Sequence, residues 1–538
     1  MASKLKAKSA GVATQVELHD REQLEIRFNY AMGGESQGGP GDHQYHMDAY
    51  LFVPRNVGLN RGNYSKAEFY ADVTPYMRLD AEVQPLEQLA DDTVPTSPLH
   101  RLWQAARDFR GGARPPPSQP LAIPVKLYAY LFAEAIKDEV RALRARCRRH
   151  VAGSAESAAE LLAAVSAMLD RARAALWAYR RLRTAFWPFE PVCHTAFIDA
   201  MRNADEYMSL FLEEKLALLV RSSERLPLLR DGSGVATRLR LLVAGLAAEE
   251  ARHRLKYGFL RLTSAEPQDG EYFTYYMSHL KKSVHNALYL ETRAIEADDV
   301  YLRNAVAAVG AGLAAIWAFA TRLPDTLAGM SASAQLSVVA GVVLAYVMKD
   351  RIKNLTNEYL SKRLRKFDHK SWLHGPSMAV LGLAMVRIRA RESMRFLRSS
   401  EVAEPIMTLR LARRTVRRAE VFGEEIIHYR KLISMQVEDG HMPPGYWLRD
   451  ILRLNMRHFM VRLDEPLTSQ PYFDARRGAF GSASLPKVYH VNLILRVRRI
   501  SPAGAAKEQL EHLRVVLDKQ RIVRVERVST LGAEVVAE

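Results

Sequence analysis

The sequence predicts an α+β membrane protein with a mainly α-helical cytoplasmic body, a two-helix transmembrane hairpin and β-containing modules near both termini. Three observations carry this expectation. Residues 304–321 and 328–348 contain no charged side chain. Apolar residues recur at spacings of three and four through residues 125–300, whereas near both ends of the chain apolar and polar residues alternate. At 538 residues the chain exceeds one core and suggests about three or four domains. Apolar residues at 48% and charged residues at 25% exclude wholesale disorder.

Residues 1–109 read as a β-hairpin-containing module. QLEIRFNYAM and YHMDAYLFVP alternate on either side of the Gly-rich GGESQGGPGD, which suits a hairpin loop. The Pro and Gly cluster at 110–124 reads as a linker. Residues 125–300 follow as a helical domain whose amphipathic segments suit a bundle. The hairpin at 304–348 is next, then a basic juxtamembrane helix at 349–370. A basic C-terminal α/β domain occupies 371–538, with alternation in HFMVRLDEP, VYHVNLILRVRRI and RIVRVERV around a helical AAKEQLEHLRVVL.

Charge separates the two parts of the chain. Residues 1–348 hold 41 Lys and Arg against 39 Asp and Glu, and residues 349–538 hold 36 against 21. The formal net charge of +17 is therefore concentrated after the hairpin. An 18-residue helix reaches roughly 27 Å, close to the thickness of bilayer hydrocarbon. Positive charge stays on the cytoplasmic side, so the basic exit places both long ends there. The lysine-bearing N-terminus has no apolar run after it, and no cleavable signal peptide is expected. The expected location is a bacterial inner membrane, spanned twice. Eight alanines and two glycines between Ala305 and Ala320 would permit close helix approach and a homo-oligomer.

Candidate chemistry is sparse. Glu250 and His253, and Glu425 and His428, have the Glu-x-x-His spacing that shares a helix face. With Glu206, Glu213 or Glu291 they would complete a di-metal bundle site. Sixteen histidines among sixty acids make such pairs about as frequent as chance. Asp42, His43, His46 and Asp48 are donor types suited to zinc or manganese, but a strand starting near His43 sends His46 and Asp48 to one face and His43 to the other. Gly310, Gly312 and Ala315 have the spacing of a dinucleotide turn without its flanking strands. Cys193 and His194 are adjacent, which rarely aims one at the other. With Cys147, the two cysteines form no disulfide framework or zinc spacing.

Arginines give the stronger signal. An arginine-rich stretch runs from Arg387 to Arg418, and within it Arg410, Arg413, Arg414, Arg417 and Arg418 would form one helix face. With Lys349, Arg351 and Lys353 they suit anionic lipid, ahead of nucleic acid or an acidic partner. No cofactor or metal is expected. The reading that follows is a non-catalytic, membrane-anchored scaffold or regulator. The alternatives are a membrane-bound metal- or nucleotide-dependent enzyme and a subunit of an oligomeric channel or transporter.

Overall fold

The computed structural model describes residues 13–31, 43–112, 119–151, 158–226, 234–262, 267–294, 368–374, 386–411, 423–437, 446–500 and 506–535, with scattered positions between 304 and 354. Mixed helices and sheets are present. The chain opens with strands β1 (Ala13–Leu18), β2 (Gln23–Ala31) and β3 (His43–Pro54), then helix α1 (Lys66–Asp72) and strand β4 (Val73–Ala81). Helices α2 (Leu86–Ala90), α3 (Pro98–Arg110), α4 (Ala122–Val151), α5 (Ala158–Phe186), α6 (Thr195–Glu224), α7 (Val235–Tyr257) and α8 (Pro267–His285) form the helical part. Next come β5 (Glu291–Ala294), β6 (His369–His374), β7 (Val386–Leu397), α9 (Glu404–Leu411), β8 (Glu424–Val437), β9 (Tyr446–Asn455) and α10 (Arg457–Met460). The chain closes with β10 (Leu467–Asp474), β11 (Ala479–Pro486), β12 (Tyr489–Ile500), β13 (Ala506–Leu517) and β14 (Ile522–Val535).

Two sheets stack face to face. One has the order β14-β13-β12-β3-β8-β7-β6-β5, the other β1-β2-β9-β4, and β10 and β11 pair only with each other. Alternation explains the stacking. In β3 the side chains of Tyr45, Met47, Ala49, Leu51 and Val53 are buried, and they meet Leu24, Ile26, Phe28 and Tyr30 of β2 and Leu448, Leu452 and Leu454 of β9 in one core. Each large side chain so buried contributes on the order of 2 kcal/mol. Tyr30 and Tyr45 touch across the layers, with ring centroids 4.4 Å apart.

The helical part is pinned by buried tyrosines. Tyr128 of α4 donates its hydroxyl to the Ala175 carbonyl of α5 at 2.9 Å, and Tyr179 of α5 donates to the Met201 carbonyl of α6 at 2.8 Å. Helix α7 starts and stops at glycines with positive φ, Gly234 at 61° and Gly258 at 64°, which suits a residue without Cβ. The sheets and helices meet where Tyr130 of α4 donates to Asp80 of β4 at 2.6 Å.

Several expectations need correction. The transmembrane hairpin is not supported: among the described residues no helix is long and apolar enough to cross a membrane. Lack of charge is a weaker property than apolarity. The first segment is rich in Ala and Gly, which carry little apolar area, and its described residues 307–314 include exposed Val309 and Leu313. The second segment lies mostly outside the described residues; its described positions Ser337, Ala340, Gly341, Leu344 and Met348 are helical and exposed. The integral-membrane function, the multi-pass placement and the inner-membrane location rested on this hairpin and fall with it. Other corrections are local. β2 and β3 are strands but belong to different sheets rather than one hairpin. Residues 506–517, expected to be helical, form β13 between two strands, where tertiary pairing overrides helix propensity. HFMVRL opens as α10, not a strand.

Candidate functional site

The register of the eight-stranded sheet assigns each side chain to one of two faces. Ladder pairs Arg387↔Gln436, Arg389↔Ser434 and Arg391↔Leu432 place these residues on the face directed away from the β1-β2-β9-β4 sheet. Gln44 joins them opposite Ser434, and Trp372 opposite Arg389. Three arginines at alternate positions of one strand stand roughly 7 Å apart along it. With Gln44, Trp372, Leu432, Ser434 and Gln436 they line a cavity of about 320 Å³. The Arg389 guanidinium carbon lies 4.0 Å from the Trp372 ring centroid, a cation–π contact, and among the described residues Arg389 has no ion-pair partner.

Further along the same face lies a second charged group. Asp48 is fully buried and accepts hydrogen bonds from His428 Nε2 at 2.8 Å and Arg430 Nε at 2.8 Å, with Arg498 at 3.8 Å. Burial alone would raise its pKa, but the His428 and Arg430 bonds outweigh this and hold the carboxyl at about 2. Arg395 donates to His428 Nδ1 at 3.3 Å, so the imidazole proton sits on Nε2, facing Asp48. Tyr50 stacks on the His428 ring with centroids 4.4 Å apart. Beside them His46 Nε2 is buried without a hydrogen-bond partner among the described residues, and its pKa is lowered by burial and then by Arg498. Arg496 pairs with Glu508 through two 2.9 Å bonds. The far end of the face is closed by α9, whose Ile406 and Leu409 pack on Tyr50, Phe52, Ile426 and Ile494.

Across these strands the face carries Lys370, Arg387, Arg389, Arg391, Arg395, Arg430, Arg496, Arg498 and Arg514 against Asp48, Glu424 and Glu508. Asp48 is held by His428 and Arg430, and Glu508 by Arg496. Arg410 of α9, buried, donates to Glu424 at 2.6 Å. Arg387, Arg389 and Arg391 stand in one row at the Gln44 end of this face, and closely spaced guanidinium forks suit an anion with several oxygens.

The expected metal donors do not converge. Glu250 accepts two bonds from Arg180, at 2.8 and 2.7 Å, and His253 Nε2 lies 3.0 Å from Asp205. Glu206 accepts from the Leu260 amide at 2.7 Å and from Tyr276, while Glu213 is paired with Arg254. Glu425 and His428 lie on strand β8, where a separation of three puts them on opposite faces rather than on one helix face. Glu291 is exposed at the edge strand β5. His46 and Asp48 share a face of β3, which begins at His43; Asp42 lies outside the described residues. Among the described residues no three His, Cys, Asp or Glu side chains could hold a metal ion.

His194 caps α6, its Nδ1 accepting from the Ala196 amide at 3.2 Å, while Cys147 and Cys193 are buried and not joined by a disulfide. Gly310 and Gly312 lie within helical turns, and Ala315 is outside the described residues. Of the expected anion contacts, Arg351 is helical and exposed, whereas Lys349, Lys353, Arg413, Arg414, Arg417 and Arg418 lie outside the described residues.

Arg387, Arg389 and Arg391 of the cationic cavity belong to the arginine-rich stretch but lie N-terminal to the part in which helix spacing defines a face. The signal that marks them is the alternation V-R-I-R-A-R across Val386–Arg391, period two rather than three and four. No family model, no curated protein and no solved structure matches the chain.

Proposed function

We propose that this protein binds a phosphate-bearing small ligand in the cavity formed by β3, β6, β7 and β8. The observation that carries the proposal is the row Arg387, Arg389 and Arg391 on one sheet face, with Arg389 ordered on Trp372 and without an ion-pair partner among the described residues. A guanidinium stacked on an aromatic ring has already lost much of its rotamer freedom, so less is lost when its planar fork meets phosphate oxygens. Ser434, Gln44 and Gln436 add neutral hydrogen-bonding groups around the charge. The cavity volume lies at the lower end of the range for small-molecule sites, which suits a few phosphate groups or a small phosphorylated metabolite.

The test is calorimetric titration of the full chain with inorganic tripolyphosphate and with ATP at 100 mM salt. Binding should disturb tryptophan fluorescence through Trp372. Arg389→Gln should weaken the interaction about tenfold or more, the loss of one charge-assisted contact. Trp372→Phe, which keeps the ring but alters the reporter, should retain binding and lose most of the fluorescence change. If neither anion binds at millimolar concentration, or if Arg389→Gln binds as tightly as the parent, the assignment is wrong.

A further inference from the structure

Strands β10 and β11 leave the body of the protein as a separate two-stranded sheet. Its base is fixed: the Lys487 amide donates to the Pro466 carbonyl at 2.8 Å, and Asp464 accepts from the Tyr489 hydroxyl at 2.9 Å and pairs with Lys487. Beyond that base the hairpin is exposed along its length. Phe473 and Phe480 face each other directly across the ladder, with centroids 5.2 Å apart, and are 56% and 85% exposed. On the other face Tyr472 lies over Gly481, where an added Cβ would come within 3.2 Å of the ring. These rings lie outside the core, on a two-stranded sheet that without a packed face is marginal in water.

The turn is equally ordered. Asp474 Oδ1 accepts from the Arg476 and Arg477 amides at 2.9 and 3.3 Å, and Gly478 takes a positive φ of 60°. Arg476 and Arg477 are exposed at the tip; the Arg477 side chain is 85% exposed and lies 3.7 Å from the Asp474 carboxylate, a loose ion pair open to solvent. Ser469 and Ser482 are hydrogen bonded at 2.6 Å on the phenylalanine face.

We infer that the β10–β11 hairpin is a contact arm for single-stranded nucleic acid, with Phe473 and Phe480 as base-stacking platforms and Arg476 and Arg477 on phosphates. Three occupants would use exposed rings, and charge chooses among them. A bilayer would have to admit the two tip arginines ahead of the phenylalanines, which costs roughly 2.5–3.5 kcal/mol for each one carried to the hydrocarbon centre. A second copy would bring like-charged tips together in a chain of net charge +17. A single strand offers planar bases and anionic phosphates at once, and its binding tolerates any base because each has a π-face. This inference concerns a different surface from the sheet cavity and does not depend on it.

The experiment is fluorescence anisotropy of a labelled 20-nucleotide oligo(dT) and oligo(U) with the full chain between 50 and 300 mM salt. Phe473→Ala with Phe480→Ala should weaken binding roughly tenfold or more, since each stacked base contributes measurably. Arg476→Gln with Arg477→Gln should reduce the slope of log affinity against log salt by about 1.4, two phosphate contacts at about 0.7 each. Both pairs are exposed, so melting temperature and circular dichroism should be unchanged. Arg389→Gln, on the sheet face, should leave oligonucleotide binding intact. The inference is overturned if the oligonucleotides do not bind at 50 mM salt, if the hairpin variants bind like the parent, or if only Arg389→Gln loses binding. It is overturned in favour of lipid or self-association if oligonucleotide binding is absent while the phenylalanine variant abolishes flotation with phosphatidylglycerol vesicles or concentration-dependent dimerisation.

Discussion

Asp205 shows how this protein uses charge inside its helices. Fully buried on α6, it accepts from Arg180 Nε at 3.0 Å, from Arg183 Nη1 at 2.5 Å and from His253 at 3.0 Å. Burial alone would raise its pKa, but His253, Arg180 and Arg183 outweigh that and lower it. A buried pair broken on one side leaves an uncompensated charge, so Asp205→Ala should destabilise the helical part by about 3–5 kcal/mol, read from urea denaturation followed by helical circular dichroism. Two histidines contribute to acid sensitivity. His285 is held at about 4 by burial, then by Arg78 and Lys281; His512 is held at about 4 by burial, then by Arg410 and Arg514. Both folded values lie below the unfolded value of about 6.5, so the unfolded chain binds more protons. Stability from this source is fully present above about pH 6.5 and is lost progressively as pH falls through about 4. His285→Phe keeps a ring against Tyr130 and should flatten the fall in melting temperature over that range. An unchanged slope would show that His285 is not one of the groups responsible.

Among the elements, α1 illustrates local determination. Ser65 caps it, its side chain accepting from the Glu68 amide while Glu68 accepts from the Ser65 amide at 2.6 Å, a reciprocal capping box written into S-K-A-E. Ser65→Ala should cost about 1 kcal/mol and raise amide exchange in α1 roughly fivefold. Strand β7 illustrates the opposite case. VRIRARESMRFL carries charge at alternate positions, and only its neighbours β6 and β8 decide that Ile388, Ala390 and Met394 enter the core while the arginines line the cavity. A one-residue slip would bury the arginines, so register here is strongly specified.

At the scale of the whole molecule the chain interleaves its two ends. β3 lies between β12 and β8, and β9 lies between β2 and β4. The central strand of the larger sheet thus comes from the first part of the chain, and a central strand of the smaller one from the second. Residues 349–538 expressed alone would leave both ladders of β3 open and the Lys431–Asp450 pair, buried between the layers at 2.8 Å, without Tyr30 of β2 beside it. The fragment should show no cooperative denaturation transition and should aggregate through its exposed edges. Co-expression with residues 1–300 should restore a protease-resistant complex. A cooperatively folded, monomeric fragment would refute the shared-core description.

The sequence by itself determined what depends on neighbours a few residues away. Apolar spacing of three and four marks α4 to α8, and period-two alternation marks β2, β3, β12 and β14. Alternation even placed His46 and Asp48 together on β3. What it did not determine are the relations between distant segments. Nothing local distinguishes AKEQLEHLRVVL as a helix from the strand it becomes between β12 and β14. Nor does any local feature show that EEIIH lies in a strand, or that Glu250 and His253 are committed to Arg180 and Asp205 rather than to a metal. Absence of charge in residues 304–321 and 328–348 resembled a bilayer requirement because composition reports what a segment avoids, not what it contacts. The cationic cavity was decided only by tertiary structure, since its lining comes from positions 44, 372, 387–391 and 432–436 and a ladder alone brings them together. Side-chain chemistry is local, but the field that gives an arginine row a function is the sum over every strand beside it.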